Sequence, residues 1–140
     1  MCKIADLVVF VLLAVCSISD CRKKTIPYVL LLGLGVTVIA FGFLDNGVSL
    51  RMRMGGVMLG ALFLFISKCT KEAIGYGDSW TFLFLGIHMG IMKVLGVVFI
   101  AAFMAAVFSV FFLWKYHWKR QTTLPFIPFL TISYLGAILL

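Results

Sequence analysis

Five side chains of this 140-residue chain can carry a carboxylate: Asp6, Asp20, Asp45, Glu72 and Asp78. Two carboxyl groups brought together do chemistry that one cannot. Repulsion keeps them from both ionising, so one can take a proton from water while the other, still protonated, polarises a carbonyl. Asp78 has the most distinctive local setting, AIGYGDSW from Ala73 to Trp80, with glycines on both sides of a tyrosine just before the acid. Such a residue needs a partner, and elements that bring the partner to it.

Composition fixes the elements. The chain is 64% hydrophobic and 12% charged, too little polar surface to coat a soluble domain of this size. It reads as an all-α integral membrane protein, one bundle over residues 1–140. Apolar runs over 4–21, 27–44, 54–68, 74–92, 94–114 and 125–140 predict six transmembrane helices, each near the length that crosses ~30 Å of hydrocarbon. The boundary between the fourth and fifth is expected at Met92-Lys93. The N-terminal run carries a lysine, an apolar stretch and small residues near Cys16, as signal peptides do. Asp6 interrupts it, and Val15 stands where lipoprotein processing needs a small residue, so a retained first span is expected.

Charge orients the spans. If they alternate, Arg22, Lys23, Lys24, Lys68, Lys71, Lys115, Lys119 and Arg120 fall on one side, and Lys3, Arg51, Arg53 and Lys93 on the other. The positive-inside tendency makes the first group cytoplasmic and the N-terminus external, with the GYGD segment at the cytoplasmic face. The formal charge of +7 then speaks of loop orientation and anionic lipid. No basic stretch interleaves with a soluble aromatic face, so no nucleic-acid partner is expected. The four cysteines, Cys2, Cys16, Cys21 and Cys69, form no Cys-X-X-Cys pair and have no histidine cluster beside them. They read as small apolar residues rather than metal ligands.

In this arrangement Asp20, at the cytoplasmic end of the first span, and Asp78, near the start of the fourth, lie at matching depth. Asp6 and Asp45 fall toward the opposite face, and Glu72 reads as a solvated loop charge. An ionisable residue at such depth is costly and marks a functional site by default. The alternative is that each aspartate only caps a helix or turn; equal depth and the flanking glycines favour a dyad. GYGD also reads as a potassium-channel filter. Against that, SKCTKEA before it is too charged for a pore helix, the usual threonine is missing, and the loop faces the cytoplasm.

Three segments carry a resemblance. SISDCRKKTIPYVL is similar to the first aspartate segment of type IV prepilin peptidases, matching at Asp20, Arg22, Ile26 and Pro27, with Tyr28 in place of the usual Asn. GYGD, Gly75 to Asp78, resembles the second aspartate motif of these GxGD intramembrane aspartyl proteases. LPFIPFL, Leu124 to Leu130, resembles their late Pro-Phe-X-Pro-Phe element. Trp80 stands where the family usually carries a lysine. The chain has no room for the cysteine-rich zinc insertion linked to N-methylation, so it resembles the minimal members serving Flp-type pili or archaeal preflagellins, without methyltransferase activity.

The resemblance implies an aspartic endopeptidase in which Asp20 and Asp78 share a proton and activate one water, neither with a fixed role. It implies no metal or organic cofactor. Its substrate is a prepilin-like single-helix membrane protein, whose short basic leader is cut at the cytoplasmic boundary, typically after a glycine. It further implies that Pro125, Phe126 and Pro128 line the site. Gly75 and Gly77 are expected to let the backbone approach an extended substrate and to leave peptide groups unpaired for it. Arg22, Lys23 and Lys24 are expected to fix orientation and meet lipid headgroups. His88 is expected to make a helix-to-helix hydrogen bond rather than relay protons, and His117 to be solvated in its basic loop. The phenylalanines of the fifth span are expected to face lipid. A non-catalytic membrane scaffold is the competing reading, with Trp80 in its favour.

Overall fold

The computed structural model of the chain describes residues 2–23, 27–44, 47–70, 75–116 and 125–140. These form six α-helices: α1 (Cys2–Lys23), α2 (Tyr28–Leu44), α3 (Leu50–Cys69), α4 (Tyr76–Met89), α5 (Ile91–Tyr116) and α6 (Ile127–Leu139). Three stretches, Lys3–Lys23, Leu50–Cys69 and Ile91–Lys115, are long and apolar enough to cross a membrane, while α2 and α6 contribute shorter apolar helices.

Polarity is distributed the opposite way from a water-soluble protein. Phe99, Phe103, Phe108, Phe111 and Trp114 of α5 are exposed, as are Leu7, Val11 and Ile18 of α1. The buried polar side chains include Ser67, Ser79, Thr81, His88, Thr131 and Ser133. Apolar solvent outside and hydrogen-bonding groups turned inward are what a bilayer demands. The chain is a helical membrane protein, and α5 meets the expectation that its phenylalanines face outward.

Neighbouring helices run antiparallel. Gly56 and Gly60 of α3 face Gly86 and Leu83 of α4, in reversed order, and the Ser79 hydroxyl donates to the Phe63 carbonyl at 3.4 Å. The α5–α6 pair repeats the pattern: the Ser133 hydroxyl donates to the Val97 carbonyl at 2.7 Å, and Phe108 meets Phe129 with ring centroids 5.2 Å apart. In α2, Gly35 faces Phe84 and Gly42 approaches Ile87, so α2 runs with α4. The C-terminal ends of α1, α3 and α5 therefore share a side with the N-terminal ends of α2, α4 and α6.

α4 lies at the centre, packed on α2, α3 and α5. Of its 14 residues, Ser79, Thr81, Phe82, Phe84, Leu85, Gly86, His88 and Met89 are buried. Its length of about 21 Å falls short of the ~30 Å hydrocarbon core. It can be short and polar because its neighbours rather than lipid surround it. The contact with α3 is close enough that a Cβ on Gly56 would overlap the Gly86 carbonyl, and one on Gly60 would stand 2.6 Å from Leu83 Cβ. Gly56-X-X-X-Gly60 is the small-residue spacing that lets two helix backbones meet in a membrane.

Two expected boundaries move. α3 begins at Leu50, not at residue 54. Arg53 belongs inside the helix because its guanidinium turns back, donating to the Val48 carbonyl at 3.2 Å and to the Gly42 carbonyl in the last turn of α2. A cation on the terminal carbonyls of a helix is favourable. The α4–α5 break falls at Gly90, not at Met92-Lys93, and Gly90 has a φ of 78°. Only glycine adopts that backbone without strain, so the turn is written in one residue that a hydropathy reading passes over.

Candidate active site

Asp20 sits in the last turn of α1, only 9% exposed. The helix packs there on α6, and the backbone N–H of Ile127, the first residue of α6, approaches the Asp20 carboxylate as a donor. α6 provides no side-chain cap of its own: Phe126 at the N-cap position makes no cap bond, and proline occupies the start of the helix. Its first N–H groups lack intrahelical partners, and the aligned peptide dipoles favour an anion at that end. Asp20 answers both.

Asp78 lies in the first turn of α4. The helix opens without a side-chain cap at Gly75. Its first intrahelical bond runs from Ser79 N–H to the Gly75 carbonyl at 3.2 Å, so the N–H groups of Tyr76, Gly77 and Asp78 precede the ladder. A Cβ on Gly75 would stand 3.0 Å from Asp78 Oδ2. At φ −52° that backbone is open to any residue, so the glycine serves here to make room for the carboxylate.

The two carboxyl groups stand within electrostatic range of each other, each at the N-terminal end of a helix. Two such groups can hold one proton between them and polarise a water, the condition for general acid–base hydrolysis. Asp78 is half-buried and Gly75 and Tyr76 are exposed, so the pair is not sealed inside the bundle. Among the described residues no three His, Cys, Asp or Glu side chains group as metal ligands.

The other expected site residues fall as follows. Pro125, Phe126 and Pro128 are half-buried at the start of α6. The Phe126 ring packs edge-on against Phe82 of α4, with centroids 5.8 Å apart. This segment therefore bridges the helices that carry the two aspartates, and Pro128 accepts a hydrogen bond from the Thr131 hydroxyl at 2.7 Å. Arg22 and Lys23 are exposed at the end of α1. Lys24, Ile26, Asp45, Glu72 and His117 lie outside the described residues.

Two expectations are corrected. The Gly75 and Gly77 carbonyls are not free for a substrate strand: Ser79 N–H takes the first and the Thr81 hydroxyl the second, at 2.9 Å. What the segment leaves open are N–H donors. The same helical turn removes the carbonyl ladder that an ion filter needs. Simple capping does not describe Asp78 either, since Gly75 is the N-cap residue. Trp80 is half-buried in an aromatic row along α4, its ring centroid 6.4 Å from Tyr76 and 5.8 Å from Phe84.

At the other end of the bundle, His88 Nε2 lies 2.7 Å from Asp6 Oδ1. The helix-to-helix hydrogen bond expected of His88 is present, and its partner is an acid that the sequence reading set aside. The signal was available: Asp6 precedes Asp20 by 14 residues and His88 follows Asp78 by 10, so antiparallel helices that join one pair bring the other pair near. The Ile127 N–H, a backbone donor, has no side-chain signature.

A family model described as the type IV leader peptidase family matches residues 7–110, which include both aspartates. No curated protein and no solved structure matches the chain.

Proposed function

The chain belongs to the type IV leader peptidase family, and on that premise we propose that it is an intramembrane aspartic endopeptidase acting on prepilin-like substrates. The observation that supports this reading is that Asp20 and Asp78 lie at the same end of the bundle, within electrostatic range of each other and each at a helix N-terminus. The substrate is a single membrane helix preceded by a short basic leader, cut at the cytoplasmic boundary. All six helices cross the membrane with the N-terminus outside. Arg22, Lys23 and Lys68 then lie on the same cytoplasmic side as the dyad, as the positive-inside tendency requires.

In the reaction one carboxylate takes a proton from water as its oxygen attacks the scissile carbonyl carbon. The other carboxyl, protonated, gives its proton to the carbonyl oxygen. Collapse of the gem-diol intermediate breaks the C–N bond as the second carboxylate takes back a hydroxyl proton, and the first carboxyl gives the leaving amine the proton it took from water. The pair ends as it began, with one proton shared. The N–H groups of Tyr76 and Gly77 suit the carbonyls of an extended leader, and Arg22, Lys23 and Lys24 hold orientation at the headgroups.

The test is co-expression with a Flp-type prepilin, followed by a mobility shift and N-terminal sequencing of the product. A new N-terminus at the leader–helix junction supports the reading. Intact substrate beside correctly inserted protein sinks it and favours a membrane scaffold, for which Trp80, packed in place of a lysine, is the structural support. Gly75→Ala adds a graded check. Pushing Asp78 aside by a fraction of an ångström is expected to lower kcat about tenfold, short of the ~100-fold of a 1 Å misplacement. Thermal stability is expected to hold, because the new methyl group meets a carboxylate tip and no backbone.

A further inference from the structure

We propose that Asp6 and His88 are positioning residues, a hydrogen-bonded tie at one end of α1 and α4 that sets how Asp20 and Asp78 meet at the other; the inference rests on the peptidase reading. α1 packs mainly on α2 and α6, and α4 mainly on α2, α3 and α5. The helices bearing the two aspartates are thus held largely through third parties. Asp6 and His88 join them directly, at 2.7 Å.

His88 is buried and Asp6 half-buried, with side-chain exposures of 4% and 27%. In its Nε2–H form the imidazole donates to the carboxylate. An apolar pair would hold the helices together as firmly but would leave their axial slide and rotation less defined, whereas a hydrogen bond of this length fixes both. From Asp6 to Asp20 α1 runs about 21 Å, and from His88 back to Asp78 α4 runs about 15 Å. Over such lengths a helix is stiff, so a slide at the tie reappears at the dyad. A displacement near 1 Å there costs about a hundredfold in rate.

Tyr134 of α6 also faces this region. Its hydroxyl is buried with no hydrogen-bond partner among the described residues, and it lies within electrostatic range of Asp6. Arg53 of α3 is engaged with backbone carbonyls and Lys93 of α5 is exposed. Tyr134→Phe removes no bond, which makes it the control.

Two readouts separate the tie from the peptidase reading. The first needs no activity: spin labels at Cys21 and at Tyr76→Cys, both exposed beside the dyad, in a chain with Cys2, Cys16 and Cys69 replaced by serine. His88→Leu and Asp6→Leu are expected to shift or broaden the label-to-label distance distribution, while His88→Gln, Asp6→Asn and Tyr134→Phe preserve it. The second is kinetic. The leucine variants lower kcat by about a hundredfold with KM unchanged, and the glutamine and asparagine variants recover most of that loss.

The double variant Asp6→Leu/His88→Leu creates no new orphan polar group, so it is expected to fold even if a single one does not, and the same label shift is expected of it. Unchanged label distances in the leucine variants overturn the proposal, as does a glutamine variant as slow as the leucine one. If the natural protein cleaves no prepilin while the labels still move, the tie stands and the peptidase reading falls.

Discussion

Asp20→Asn and Asp78→Asn are each expected to stop leader removal while leaving the bundle as stable as before. The chemical loss is large because each carboxyl must both take and give a proton during one turnover. Asparagine does neither at neutral pH, and positioned acid–base groups contribute about 10²–10⁴-fold each. Members of one catalytic unit are not additive, so the double variant should be no slower than the slower single one. Stability is spared for reasons visible at both sites. The amide of Asp20→Asn keeps an oxygen to accept from the Ile127 N–H. The amide of Asp78→Asn keeps the shape that fits beside Gly75. Single-turnover cleavage of a purified prepilin, with thermal unfolding of the same samples, checks both halves. Cleavage surviving in either variant would remove the dyad from the mechanism.

The second large effect lies on the seam between α3 and α4. Gly56→Ala places a methyl group into the Gly86 carbonyl, and Gly86→Ala places one into the Gly56 carbonyl. Backbone cannot rotate out of the way as a side chain can, so the helices must separate along the whole contact. Overpacking typically costs about 1–3 kcal/mol, and a clash with backbone on a rigid crossing belongs at or above the top of that range. Gly35→Ala should cost less, since it meets only the rim of the Phe84 ring, 2.7 Å away. Gly96→Ala and Gly136→Ala meet nothing within 4 Å and should be neutral. Unfolding in mixed micelles ranks these variants. Equal stability of Gly56→Ala and Gly96→Ala would contradict the close crossing.

Much of this was legible in the sequence, because in a membrane protein hydropathy and backbone satisfaction say nearly the same thing. Six apolar runs became six helices. Asp20 and Asp78, expected at matching depth, lie at the same end of the bundle. The misses came from interactions that hydropathy does not see. Arg53 read as a loop charge, yet it lies inside α3 because its guanidinium reaches the end of α2. Gly90 read as one more apolar residue, yet its positive φ ends a helix. Gly75 suggested room for a substrate backbone, and it makes room for Asp78 itself. Asp6 was weighed as a break in the N-terminal run and by its distance from the dyad, so its bond to His88 was not anticipated. The Ile127 N–H could not be found at all, since a peptide donor has no letter in the alphabet.

The enclosure of α4 bears on how the chain is made as well as on how it works. A helix of 14 residues that carries Asp78, Ser79, Thr81 and His88 is absent from the stretches long and apolar enough to cross a membrane on their own. Partitioning from the insertion machinery into lipid is governed by the apolar character of each segment, and α4 alone is poorly equipped for it. Its close seam with α3 suits entry as the second arm of a hairpin with that helix. Substitutions at Gly56 are then expected to act during biogenesis too: Gly56→Ala should lower the fraction of chains in which α4 inserts, read by the accessibility of a cysteine label in the α4–α5 turn.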